Sequence, residues 1–385
     1  MSVKIQLDSH TATYCTNLEF VTGKVVLSLT KNDNVSAIVV KLEGECKTTL
    51  TRPHTQPNKP HIYEGTGNTR NPIALENHKI IYKVLKVFPD PNRDTGSAGL
   101  AYYLPPGQHE YPFGFKISFD NSCWNPEAQQ VGLKAAGIAV FGLGATQQYQ
   151  YTHVKKTLPP SLTGFPGYAE IRYYVKVTVQ RPSLFKENWR ADIDFEFLPV
   201  EPPRQPPTTQ EVFARRQHEF QIALPSKSAI FKKKTPTQPS DRPPKVEVEA
   251  RLPSPAILTC TGEVPLRIIA RKLNDSLGSV FIMSLQIRLL GETEVRAQGI
   301  SRIEKSHWFL TAVHFRPATP IALPQDKLGA EIIVDRTYWG ELRLPNTVYP
   351  SFHCCDLTRT YVVEIDIELS CSMQAVLQVS DPLYI

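Results

Sequence analysis

Apolar and polar residues alternate with a period of two along most of the chain. Ile38, Val40 and Leu42 alternate with Val39, Lys41 and Glu43, and Tyr173, Val175, Val177 and Val179 alternate with Tyr174, Lys176, Thr178 and Gln180. Ile193, Phe195 and Phe197 alternate with Asp192, Asp194 and Glu196. Further on, Val246, Val248 and Ala250 face away from Lys245, Glu247 and Glu249, and Phe281, Met283, Leu285, Ile287 and Leu289 share one face. Val363, Ile365, Ile367 and Leu369 alternate with Glu364, Asp366, Glu368 and Ser370. Successive strand side chains point to opposite faces, so each segment predicts a strand with one apolar and one wet face. Half-polar strands belong to antiparallel sheets, and stacking two sheets per domain buries the apolar faces. The expected fold class is all-β, with antiparallel β-sandwich domains. One segment, Glu211 to Leu224, has a helical reading, with Phe213, Phe220 and Leu224 roughly on one face.

Length and proline placement divide this pattern. At 385 residues the chain suits about two domains. Its 33 prolines argue against a helical bundle, because proline breaks helix interiors. Nine of the 33 lie between Glu201 and Pro244, together with eight basic and four acidic residues, so most of the net charge of +6 sits there. That composition reads as a connector. The expected domains are 1–200 and 244–385, with a Pro-rich basic connector at 201–243. A polar insertion, Pro53 to Asn77, reads as a surface loop before a strand around Ile80–Val87.

The mild net charge gives no reason to expect a nucleic-acid partner. The seven cysteines are odd in number, lack a Cys-x-x-Cys and include the vicinal pair Cys354-Cys355, so neither a disulfide framework nor a zinc site is expected from spacing. His353-Cys354-Cys355 is suggestive of metal, but adjacent cysteines do not match the usual zinc spacings. The N-terminus lacks an apolar core of signal-peptide length, and no apolar run reaches the roughly 18 residues of a membrane helix. An intracellular, reduced and soluble protein is the expectation. Gly65-x-Gly67 and Gly142-x-Gly144 lack the third glycine of a dinucleotide site. Gly96-Ser97-Ala98-Gly99 is not a nucleophile elbow. No catalysis and no cofactor are expected.

Several segments resemble the arrestin family in order along the chain. Gly23-Lys24-Val25-Val26-Leu27-Ser28-Leu29 and Ile38-Val39-Val40-Lys41-Leu42-Glu43-Gly44 resemble the opening of the arrestin N-terminal domain. Leu104-Pro105-Pro106-Gly107-Gln108-His109-Glu110-Tyr111-Pro112-Phe113-Gly114-Phe115 is similar to its most recognisable motif, and Ile171–Val177 with Arg181-Pro182 to its late strand. Pro265-Leu266-Arg267-Ile268, Leu344-Pro345 through Phe352, and Arg359-Thr360-Tyr361-Val362-Val363 resemble the C-terminal domain. The detail is nearest to fungal alpha-arrestins. The resemblance implies two immunoglobulin-like sandwiches in tandem. It also implies a non-catalytic adaptor that binds cytoplasmic parts of membrane transporters or receptors and recruits a HECT-type ubiquitin ligase for their endocytosis. An arrestin-fold scaffold in endosomal coat or retromer-type sorting is the alternative job on the same fold. A β-sandwich hydrolase is the alternative of another class, and no cluster of titratable groups in the sequence supports it. Ligase recruitment in the family uses Pro-Pro-x-Tyr. Here the Pro-Pro pairs beginning at 105, 159, 202, 206 and 243 are followed at the third position by Gln108, Leu162, Gln205, Thr209 and Val246.

Candidate contact residues fall into two groups. Lys4, Lys24, Lys155 and Lys156 read either as ordinary surface lysines or as a surface for acidic or phosphorylated tails. Lys176 lies near the position where the resemblance implies a basic phosphate sensor, though lysine lacks the bidentate fork of arginine. Arg172 and Arg190 are alternatives. For membrane or cargo contact, the apolar stretch Val131–Ala145, with Leu133, Ile138, Phe141 and Leu143, reads either as a core strand or as an exposed loop. Lys232, Lys233 and Lys234, with Arg215 and Arg216, suit an anionic lipid surface or a solvated linker.

Overall fold

The structure, a computed structural model, describes residues 1–52, 72–90, 101–123, 156–165, 167–182, 187–200, 206, 208–220, 242–372 and 383–384. The chain divides into two compact units. The first comprises Met1–Pro203, Thr293–Glu304 and Pro350–Arg359; the second comprises Arg204–Glu292, Lys305–Tyr349 and Thr360–Ile385. The described residues are almost wholly strand. Among them no helix is long and apolar enough to cross a membrane.

From the N-terminus the elements are β1 (Ser2–Leu7), α1 (Ser9–Thr13), β2 (Phe20–Leu29), β3 (Asp33–Val35), β4 (Ala37–Thr51), β5 (Ile73–Phe88), β6 (Tyr102–Leu104), β7 (Gly107–Lys116), β8 (Leu162–Phe165), β9 (Ala169–Gln180) and β10 (Trp189–Phe195). Strands β1-β2-β7 form one sheet, β10-β9-β4-β5 another with β8 against β9, and β3 pairs β6. The apolar sets of the two larger sheets, including Val25, Leu27, Val40, Leu42, Val175 and Val177, meet in one core. Burying each such side chain contributes roughly 1.5–3 kcal/mol, which explains why alternation fixes the facing of each strand. Gly107, in the Pro-Pro-Gly turn that opens β7, has φ +136°, a conformation that favours glycine.

The chain continues with β11 (Glu211–Glu219), β12 (Lys245–Pro253), β13 (Arg267–Lys272), β14 (Val280–Ala297), β15 (Ile300–Ala322), β16 (Glu331–Ile333), β17 (Phe352–His353), β18 (Leu357–Cys371) and β19 (Leu383–Tyr384). One sheet runs β11-β12-β13-β16 and another β15-β14-β18-β17, with β19 against β18. Val246, Val248, Ile268, Ile287, Val363 and Ile365 belong to the core of the second unit.

Three expectations need correction. The helical reading of Glu211–Leu224 gives way to a strand: β11 pairs antiparallel with β12 along its whole length, and Phe213 is exposed with the Arg215 guanidinium over its ring. Cross-strand pairing overrides a short, weak helical spacing. The expected loop from Pro53 to Asn77 ends early, because β5 begins at Ile73 and pairs with β4 from there. Phe281 and Met283 do not share the buried face of Leu285, Ile287 and Leu289; Val280 and Ile282 are buried instead, so the alternation shifts phase within β14.

The wet faces also depart from the simple pattern. Glu43, Glu247, Glu249 and Glu364 are buried although they alternate with core residues. Basic side chains from neighbouring strands lie over them. Lys79 on β5 donates to Glu43 at 2.5 Å, and Arg271 on β13 donates to Glu247 at 2.8 Å and also to Glu249. Charges removed from water persist where they are paired and hydrogen-bonded.

Candidate functional site

The outward face of the β10-β9-β4-β5 sheet carries a continuous polar network. Arg172 on β9 donates from Nε to Asp194 at 2.6 Å and from Nη2 to Asp192 at 2.9 Å, both on β10. Its guanidinium lies 4.5 Å from the Tyr174 ring centroid. The Tyr174 hydroxyl is within hydrogen-bond distance of Glu43, at 2.8 Å, and of Glu45, at 2.9 Å. Lys79 and Lys41 lie over the Tyr82 ring, at 4.9 and 5.3 Å from its centroid. Lys176 stands in register between Lys41 and Asp192 and is half-buried. Burial pulls the Glu43 carboxyl up, and hydrogen bonds from Lys79 and Tyr174 outweigh it, so its pKa lies below the ordinary value. The Tyr174 hydroxyl is pushed up by burial and by its two carboxylate partners.

The other basic residues singled out in the sequence lie elsewhere. Lys4 on β1 and Lys24 on β2 share one face of the three-stranded sheet, since Lys4 opposes Val26 and Gln6 opposes Lys24. Lys4 is exposed, and Lys24 donates to Glu110 on β7 at 2.9 Å. Arg190 opposes Thr178 in the β9–β10 ladder. Lys156 lies beside the bridge of Asp120 to Thr157, its carbonyl accepting from the Asn121 amide at 2.9 Å. Lys4 and Lys24 are therefore on a different sheet from Arg172 and Lys176. Arg215 and Arg216 are exposed on β11. Lys155, Leu133, Ile138, Phe141, Leu143, Lys232, Lys233 and Lys234 lie outside the described residues.

These strands carry the segments on which the resemblance rests. The Gly23–Leu29 segment lies in β2 and the Gly107–Phe115 segment in β7, and the two strands pair from Phe20↔Lys116 to Leu29↔Gly107. Residues 3–124 match the family model of the arrestin (or S-antigen) N-terminal domain. No curated protein matches the chain. The arrestin N-terminal match thus covers β1 to β7, both sheets of the first unit being represented in it.

A second constellation in the same unit is one that sequence spacing did not reveal. Strand β5 turns Ala74, Glu76, His78 and Ile80 inward, while Ile73 and Leu75 are 48% and 47% exposed. His78 Nε2 lies 2.8 Å from Asp356 Oδ1 and 3.7 Å from Glu76 Oε2. The imidazole also hydrogen-bonds to Cys123 and Cys355, whose sulfurs are 3.4 Å apart. One set of possible metal ligands is His78, Cys123 and Cys355, and another is Glu76, His78 and Asp356; within each, the ligand atoms lie within 4.8 Å of one another. Burial alone would push the imidazole down, and its hydrogen bonds to Asp356, the two thiols and Glu76 outweigh this, so its pKa lies above the ordinary histidine value. Burial pushes the Asp356 carboxyl up despite His78. The sequence signals were modest: the vicinal cysteines at 354–355, and a Glu and a His on the inward phase of a strand.

Proposed function

We propose that the chain is a non-catalytic, arrestin-like adaptor that binds cytoplasmic segments of membrane transporters or receptors and promotes their ubiquitin-dependent endocytosis. The match of residues 3–124 to the arrestin N-terminal domain carries this reading. The polar sheet face supports it, because the ion pairs of Arg172 with Asp192 and Asp194, with Lys176 in register beside Asp192, can exchange with a charged peptide. The exposed edge of β1 adds a second mode, in which an extended cargo segment continues the sheet by backbone hydrogen bonds. Lys4 and Lys24, on the separate β1-β2-β7 sheet, with Lys155 and Lys156, serve as further contacts for acidic or phosphorylated tails. Leu133, Ile138, Phe141 and Leu143 with Lys232–Lys234 serve an anionic membrane surface at the plasma membrane or endosomes.

The test is cross-linking and affinity capture of the tagged full chain from membrane-containing extracts. Recovery of transporters or receptors with a HECT-type ligase supports the adaptor reading. The absence of Pro-Pro-x-Tyr from the sequence favours a second reading, a scaffold in endosomal sorting without ligase recruitment. Recovery of coat subunits alone would sink the first reading and support the second.

A further inference from the structure

The cluster around His78 asks why a strand would turn a glutamate and a histidine into the core. A one-residue slip of β5 against β4 would reverse the facing, burying Ile73 and Leu75 and exposing Glu76 and His78. The register instead sets Cys46 opposite His78 and Thr48 opposite Glu76. Asp356, Cys355 and Cys123 complete the group, and all of them belong to the first unit. Asp356 is 1% exposed, and its Oδ2 is buried with no hydrogen-bond partner among the described residues. A buried carboxylate oxygen left in that state costs free energy unless a positive charge lies nearby.

We propose that His78, Cys123 and Cys355 bind one thiophilic divalent ion of the zinc class, with Asp356 orienting His78 from the side away from the metal. The ligand types suit it: two thiols and an imidazole are the donors that zinc prefers. The sulfur separation of 3.4 Å is well beyond the roughly 2 Å of a disulfide. It approaches the ~3.8 Å that two thiolates take up on one tetrahedral ion with Zn–S bonds of about 2.3 Å. Because Nε2 is engaged by Asp356, Nδ1 is the nitrogen that turns to the metal. A carboxylate behind a ligating imidazole fixes the ring orientation and raises its basicity, as is general for metal-bound histidine. The two cysteines bind as thiolates whose charges balance that of the divalent ion, and their protons leave to solvent. Cys355 is half-buried while Cys123 and His78 are buried, so the Cys355 side is the one open to an entering ion.

The segment that carries two of these groups is held in place before any ion binds. Arg296 donates from Nη2 to the carbonyl of Cys354 at 3.0 Å and to Thr358 Oγ1 at 2.9 Å, and its backbone amide donates to the Asp356 carbonyl at 2.8 Å. Cys355 and Asp356 are therefore positioned by the fold and not gathered by the metal.

The test uses the full chain, purified under reducing conditions, freed of metal by chelation and titrated in separate samples with Zn2+ and with Co2+. The expected result is about one ion per chain, with thiolate-to-cobalt charge-transfer absorption and protection of Cys123 and Cys355 from alkylation. Paired Cys123→Ser and Cys355→Ser substitutions abolish this, Cys260→Ser leaves it intact, and Asp356→Asn weakens binding by about 10–100-fold. The protection assay needs only the unsubstituted chain, so the proposal stays testable if the double variant does not fold. Absence of charge-transfer absorption, alkylation of both cysteines unchanged by metal, or a Cys123–Cys355 disulfide in protein trapped at lysis would overturn it.

Discussion

His78 Nε2 lies 2.8 Å from Asp356 Oδ1, joining strand β5 to the turn before β18 by a buried, hydrogen-bonded ion pair. Breaking such a pair from one side leaves an uncompensated buried group. His78→Ala is expected to destabilise the first unit by about 3 kcal/mol. Hydrogen–deuterium exchange at β4 and β5 checks this, with faster exchange expected there than in β12 and β13.

Glu43 gives the fold a specific acid response. Its folded pKa is below the ordinary 4.5, because Lys79 and Tyr174 outweigh its burial. A carboxylate with a depressed pKa contributes stability that is present above its unfolded pKa and lost as pH falls through the folded one. Stability should fall as pH drops below about 4.5, and Glu43→Gln should flatten that limb while lowering stability at neutral pH. Thermal melts from pH 3 to 7 read both effects.

Gly44 sits where β4 passes close to its neighbours. A Cβ there would stand 2.5 Å from Ile81 Cγ2 and 2.8 Å from the Tyr173 ring. Both neighbours are core residues with no room to retreat, so Gly44→Ala should cost about 1–3 kcal/mol. Urea unfolding, compared with Gly114→Ala where the nearest atom is 3.6 Å away, separates crowding from ordinary glycine effects.

Tyr173 donates its hydroxyl to the Pro159 carbonyl at 2.6 Å and is 1% exposed. Tyr173→Phe keeps the ring packing against Phe195 and Phe197 but leaves that carbonyl without this donor. The expected loss is roughly 1–3 kcal/mol, again measured by urea unfolding.

Arg172 is held by Asp192 and Asp194, which compete with any acidic ligand for its guanidinium. If this face binds acidic or phosphorylated tails, Asp192→Asn with Asp194→Asn should tighten binding of a phosphopeptide several-fold, and Arg172→Ala should weaken it. Fluorescence anisotropy at two salt concentrations reads the effect; unchanged affinity in both variants would remove this face from the adaptor reading.

The period of two and the proline distribution were enough to predict antiparallel sheets, and the core side of β9, β12 and β18 follows from them, because each strand has one set of side chains that must leave water. The arrestin-like segments in β2 and β7 were legible for the same reason: they are contiguous, and each carries its own turn and facing signals. Whether an outward residue is wet was not legible. Glu43 and Glu249 are buried because Lys79 on β5 and Arg271 on β13 lie across them, and that cover depends on pairing partners that alternation does not name. The register of β11, a strand where helical spacing was read, likewise came from its partner β12. Least legible was the group around His78. Its members come from β5, from the segment that follows β7 and from the turn before β18, with no spacing that links them. Local order in a sequence reports contacts within a strand; a site assembled from three distant segments exists only once the sheets have closed on one another.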